Sequence, residues 1–240
     1  MRCARWLALV LAAIALGGCE TTAEKSAQLQ RQAKRITLDE KGLSITRASA
    51  EVKVVDATVV HDSERAAAVV TLRNGSAHAQ HDVPIAIVVK DARGRTLFQN
   101  NGAGLEGALV SLPSIGPHAT ATWVDDQLPA TGAPASVSAR VGEAPSVASA
   151  LPQLTIGATQ LSEDPASGTV ANGSVRNRSA VEQRGLVVFA VGRRAGRVVA
   201  AGRAIVPELA AGASAPFQVS LVGEAKGAQL QFAAPPSSVT

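Results

Sequence analysis

The chain has 240 residues, 46% of them hydrophobic and 18% charged, yet it holds only four Phe, two Trp and no Tyr. That apolar share is too high for a disordered chain, and its Ala- and Val-rich make-up means that any core is assembled from many small aliphatic contributions. The formal net charge is +4, but its sign changes along the chain: residues 48–143 carry 7 basic and 10 acidic side chains, and residues 152–240 carry 8 and 5. Both cysteines, Cys3 and Cys19, lie near the start, which leaves no downstream thiol for a disulfide scaffold or a cysteine-ligated zinc.

At the N-terminus, Arg2 and Arg5 lead into an apolar run from Trp6 to Leu16. A charged start, an apolar stretch of about 7–15 residues and small residues at the cleavage point describe a secretory signal peptide. The run is too short to span a bilayer, which takes about 20 residues. The run ends in Leu16-Gly17-Gly18-Cys19, which resembles the bacterial lipobox. The resemblance implies that residues 1–18 are a lipoprotein signal peptide and that Cys19 carries diacylglycerol and acyl lipid. It further implies an extracytoplasmic chain tethered to a bacterial membrane, with the choice between cell membrane and outer membrane left open. Two or three acyl chains make a stable anchor, since each buried CH₂ contributes about 0.8 kcal/mol. Residues 19–42 then read as the lipidated cysteine and a polar tether without an apolar stripe to dock on a core.

From about Leu43 the pattern becomes strand-like, with short runs of Val, Ile and Thr bounded by Gly, Asn, Asp and Pro. Strands are expected over 52–60, 66–73, 83–90, 95–99, 108–112, 119–124 and 135–141. A second set is expected over 153–161, 168–176, 185–191, 196–204, 214–221 and 228–232. Residues 144–152, small and proline-bearing, read as the linker between a first sandwich at 43–143 and a second at 153–236, with a short tail at 237–240.

The two sets look like one pattern used twice. Val70-Thr71-Leu72-Arg73-Asn74-Gly75-Ser76-Ala77 aligns with Gly173-Ser174-Val175-Arg176-Asn177-Arg178-Ser179-Ala180. Each set continues with an apolar strand, a hairpin turn at Gly94 or Gly196, and a last long strand carrying Trp123 or Phe217. A repeat of this size built from short strands points to an all-β fold of two tandem β-sandwiches. Asn74 and Asn177 are expected at strand-to-loop corners, being able to take a positive φ and to bond their own backbone, with Gly75 relieving a left-handed turn beside the first. The same Asn-x-Ser pattern, found also at Asn172, is a glycosylation acceptor pattern, but the corner explains it without a sugar.

This order is similar to the FxLYD domain, an immunoglobulin-like sandwich of bacterial secreted proteins and lipoproteins. The matching parts are the strand ending in Arg-Asn-x-Ser, the strand Ile85-Ala86-Ile87-Val88-Val89-Lys90-Asp91 leading to Gly94, and the turn before the last long strand. The name-giving aromatic positions depart from it: Lys90 stands in place of the Tyr, only Asp91 keeps the acid, and the second set has Arg193 or Arg194 there.

Chemistry is sparse. His78 and His81 are weak metal-ligand candidates, three apart with Asp82 beside them. Asp125 and Asp126 are adjacent on a strand and therefore poorly placed as an acid–base pair. No Gly-x-Ser-x-Gly is present to place a nucleophile. Arg176, Arg178, Arg184, Arg193, Arg194, Arg197 and Arg203 make the second set basic. Without stacking aromatics or a recognition motif they argue for solubilised hairpins rather than nucleic acid. The expectation is a non-catalytic binding or structural module in the cell envelope, working through contact with an envelope protein, with no cofactor beyond the lipid and no small-molecule substrate. The alternatives are capture of a metal through His78 and His81, capture of an anionic polymer through Arg193, Arg194 and Arg197, and, weakest, an envelope hydrolase.

Overall fold

A computed structural model describes residues 42–129, 131–165 and 167–239. The signal segment, Cys19 and all of the tether except Gly42 lie outside these residues. The β-rich expectation holds: among the described residues, apart from one 3₁₀ turn at Gly107–Leu109, the regular elements are antiparallel strands. No helix among the described residues is long and apolar enough to cross a membrane.

The first half contains β1 (Val52–His61), β2 (Arg65–Asn74), β3 (Ala79–Asp91), β4 (Thr96–Gln99), β5 (Ser111–Ile115), β6 (Thr120–Pro129), β7 (Pro134–Val141) and β8 (Ser146–Val147). β1, β2 and β6 form one sheet, and β3 pairs with β4, β5, β7 and β8 in another. The second half contains β9 (Leu154–Ile156), β10 (Gln160–Asp164), β11 (Gly168–Asn177), β12 (Gln183–Arg194), β13 (Arg197–Leu209), β14 (Ser214–Ser220), β15 (Val222–Gly223) and β16 (Gln229–Ala233). Here β9, β10, β11 and β14 make one sheet, and the other has the order β15-β13-β12-β16.

Three sequence expectations need correction. The strand expected at 153–161 is two, β9 and β10, interrupted where Gly157 passes so close to the Ser174 hydroxyl that a Cβ would lie 2.6 Å from it. The strand expected from 108 begins at Ser111, because residues 107–109 coil into the 3₁₀ turn. Ser146 and Val147, inside the stretch expected as linker, form β8 and pair with Ala79 and Gln80 of β3.

The four sheets stack. β1 and β2 face β7 and β3, β13 lies against β6 on one side and β14 on the other, and β15 meets β2. The order of layers is therefore the β3 sheet, the β1-β2-β6 sheet, the β15-β13-β12-β16 sheet and the β11 sheet. Successive side chains of a strand point to opposite faces, and β12 uses both. Val187, Phe189 and Val191 join the apolar cluster of the first half, while Leu186, Val188 and Ala190 join the cluster with Phe217 and Val219. β2 behaves alike, with Ala66, Ala67, Ala68, Val69 and Val70 all at most 1% exposed. Two-sided burial calls for unbroken apolar runs, and alanine keeps the layers close where larger side chains would hold them apart. Residues Lys41–Thr240 form one compact unit.

Candidate functional site

Asn74 and Asn177 end β2 and β11, and each is fully buried. Neither they nor Gly75 takes a positive φ, contrary to the turn expectation. Their work is done by the side chain. Asn74 Nδ2 donates to the carbonyls of His78 and Gly116, at 2.7 and 2.9 Å, while its Oδ1 accepts from the Ser76 amide and hydroxyl. Asn177 Nδ2 donates to the carbonyls of Val181, Leu209 and Ala210, and its Oδ1 accepts from the Ser179 amide and hydroxyl. A buried amide with its donors and acceptor engaged is a structural peg, and its nitrogen is closed to glycosylation in the folded chain.

The pairing around the two pegs matches as well. Val70 lies opposite Trp123, and Gly173 opposite Phe217. Both rings are buried, and Trp123 Nε1 donates to the Ala108 carbonyl at 2.8 Å. A Cβ on Gly173 would lie 2.6 Å from Phe217 Cζ, so glycine there makes room for the ring.

His78 is exposed, and its carbonyl serves the Asn74 peg. The His81 ring meets Asp82 at 2.9 Å. Among the described residues no group of three or more His, Cys, Asp or Glu is placed to hold a metal ion. Arg194 and Arg197 are exposed and Arg193 half-buried around a two-residue hairpin, Ala195-Gly196, whose positive φ values at both residues fit a type I′ turn.

Arg203, placed by sequence among the surface arginines of the second half, is a correction: its side chain is 5% exposed. It stands on β13 against the first half. Its Nε donates to Asp126 Oδ1 at 3.1 Å, its backbone N–H to Asp126 Oδ2 at 3.0 Å, and its two terminal nitrogens grip Glu106 at 3.2 and 3.1 Å. A planar guanidinium suits such a two-pronged grip on a carboxylate. Burial pushes Asp126 above the ordinary carboxylate range despite the arginine, and the two carboxylates hold the Arg203 proton more firmly than usual against the opposing effect of burial. Next to this cluster, Asp125 is 1% exposed. Burial, aided by the charge of Asp126 and opposed by the Gln127 N–H and by Arg203, lifts it to about 6. An open cleft of about 260 Å³, lined by Glu106, Asp126, Gln127, Arg203, Ala204 and Ile205, exposes the rim of the cluster.

A wider cleft of about 550 Å³ opens between the β1–β2 and β10–β11 turns. Arg65 crosses it, donating to Ser220 Oγ at 2.7 Å and to the carbonyls of Leu221 and Ser167. Asp62 receives the N–H groups of Glu64 and Arg65 and, at 3.4 Å, that of Gly223. Burial would raise this carboxyl, but the three N–H groups and the Arg65 charge prevail and hold it below the usual range. The cleft can offer hydroxyls and carboxylates to a polar partner; among the described residues no histidine or cysteine lines it.

Sequence reasoning missed two glutamines. Gln80 and Gln183 follow the two pegs by six residues each and are buried. Gln80 Nε2 donates to Glu51 and to Ser146 Oγ, while Gln183 receives the N–H groups of Ser237 and Ser238 and donates to the Ser238 carbonyl. The shared spacing Asn-x-Ser-Ala-x-x-Gln was the available signal. Arg203 gave none, since its partners lie 77 and 97 residues away. The chain matches no protein-family model, and no curated protein matches it.

Proposed function

We propose that the chain is a lipid-anchored extracytoplasmic lipoprotein. In this reading two tandem immunoglobulin-like sandwiches, similar to FxLYD domains, serve as a non-catalytic binding or structural module of the cell envelope. The observation that carries the reading is Leu16-Gly17-Gly18-Cys19 after a short apolar run. The matching peg bonds of Asn74 and Asn177, and the matching register of Trp123 and Phe217, support the tandem reading. The shifted carboxylates Asp126 and Asp62 are bound into the fold by Arg203 and by backbone N–H groups, which supports a structural use of these groups. Sheet edges and end loops are the surfaces left to meet a protein partner.

Cys19→Ser tests the anchor: the variant is expected in the soluble extracytoplasmic fraction, and retention of a processed variant in the membrane fraction removes the reading. Cross-linking in intact cells tests the contact, with enrichment of an envelope protein over a lipid-anchored control expected. A second reading, capture of an anionic polymer, is favoured by the gathering of Arg193, Arg194 and Arg197 at one hairpin. It predicts binding that weakens steeply with salt, as an apolar edge contact does not.

A further inference from the structure

We propose that the junction between the two halves is an acid-tightened latch, with Asp125 as its sensing group and the Glu106–Asp126–Arg203 cluster as its bolt. Asp125 lies on β6 opposite Ala68 of β2. Its Oδ1 accepts the Gln127 N–H at 3.0 Å, and its Oδ2 is buried with no hydrogen-bond partner among the described residues. A carboxylate with a buried, unbonded oxygen is costly while ionised and much less so once it is neutral.

The charges around Asp125 relieve it only in part, since the attraction of Arg203 does not outweigh burial. Asp126, next on the strand, repels its negative charge, and Arg203 from β13 is committed to Asp126 and Glu106. β4, β5 and the 3₁₀ turn bring no charged side chain. β2 has arginines only at Arg65 and Arg73, opposite Pro129 and Thr120 at the far ends of β6. The other charged residues of β12 and β13 lie near the ends of those strands.

With its carboxyl lifted to about 6, Asp125 changes charge between pH 7.5 and pH 5. A folded-state value above the unfolded one means that the packed state binds the proton more tightly, so stability rises as pH falls through this window and is lost again as pH rises. Asp126 is pushed the same way. Asp62, in spite of its burial, and Asp91 are held low by N–H groups. Their contribution is present above about pH 4 and fades only below it, outside the window. The latch therefore grips more firmly in mild acid and loosens at neutral pH.

Denaturant unfolding of the purified full chain at pH 7.5 and 5.0, at fixed ionic strength, tests this. The unfolding equilibrium constant is expected to be about tenfold smaller at pH 5.0. Hydrogen exchange, corrected for its intrinsic pH dependence, is expected to show the added protection in β6 and β13 and not in the edge strand β10. Asp125→Asn is expected to abolish the tenfold difference. Equal stability at the two pH values overturns the latch, as does a variant that keeps the full difference. Should the variant not fold, the unaltered chain decides alone: no added protection in β6 and β13 at pH 5.0 overturns it.

Discussion

The residue paired with the buried glutamine lies 21 positions after the hairpin glycine in the first half, Gly94 to Ile115, and 13 positions after it in the second, Gly196 to Leu209. In the second half those residues are the single strand β13, bonded along most of its length to β12. In the first half the same course is broken into β4, a loop with a 3₁₀ turn, and β5. The break would leave one edge of β3 short of partners near its middle, while β7 pairs with the other edge. Asn100 fills the gap with its side chain: Oδ1 accepts the Ile87 N–H at 2.7 Å, and Nδ2 donates to the carbonyls of Ile85 and Leu109 at 2.8 Å each. The eight additional residues also carry Glu106, the carboxylate that grips Arg203. The comparison teaches that the departure from repetition is where the halves are joined. The uninterrupted strand presents a buried arginine, and the interrupted one supplies the loop that reaches it.

The strongest way to break this comparison is to remove the grip. Arg203→Ala takes the cation from the half-buried Asp126 and from the more exposed Glu106, and a loss of about 3 kcal/mol, the low end for a buried pair, is expected in denaturant unfolding. Replacing the cluster together, as Arg203→Met with Asp126→Asn and Glu106→Gln, is expected to recover most of that loss, because the cost lies chiefly in the unpaired charge of the half-buried Asp126. If the triple variant is as unstable as the single one, the cluster is valued for its contacts instead.

The pegs sharpen the comparison from the side where the halves agree. Asn74→Ala and Asn177→Ala each strand several buried backbone groups, and each is expected to cost about 2–3 kcal/mol. A large loss at one and none at the other would mean that the matching bonds carry unmatched energies.

A smaller effect is expected at Gly173→Ala, which drives a methyl toward Phe217 and Thr159 and should cost about 1–2 kcal/mol by overpacking. Phe217→Leu in the same chain is expected to return part of it, a coupling that a double-mutant cycle measures. Additive losses would show that the ring is not what demands glycine at 173.

Much of the fold could be read before any coordinates. The Val- and Thr-rich runs lie where strands form, Ala195-Gly196 makes its tight turn, and Trp123 and Phe217 take matching places, because each rests on local periodicity or on residues a few positions apart. The start expected at 108 and the continuity expected over 153–161 failed where a distant contact intervened: the 3₁₀ turn under Trp123, and Gly157 against Ser174. The role of Asn74 and Asn177 was half legible. Their position at a corner followed from residue type, while their use as buried pegs depends on the carbonyls of Gly116, Leu209 and Ala210, far along the chain. The unbroken apolar runs at 66–70 and 186–191 already hinted at burial on both faces, without saying what covers the second face.

By itself, then, the sequence determined an all-β chain and the tight turn at Ala195-Gly196, since both are written in short-range pattern and residue chemistry. Only the tertiary structure decided that four sheets stack into one unit, that β2 and β12 are covered on both sides, and that Arg203 is a buried clamp rather than a surface charge. Strand pattern fixes which residues share a face. What lies against that face, and whether a charge on it finds water or a partner, depends on which layers meet.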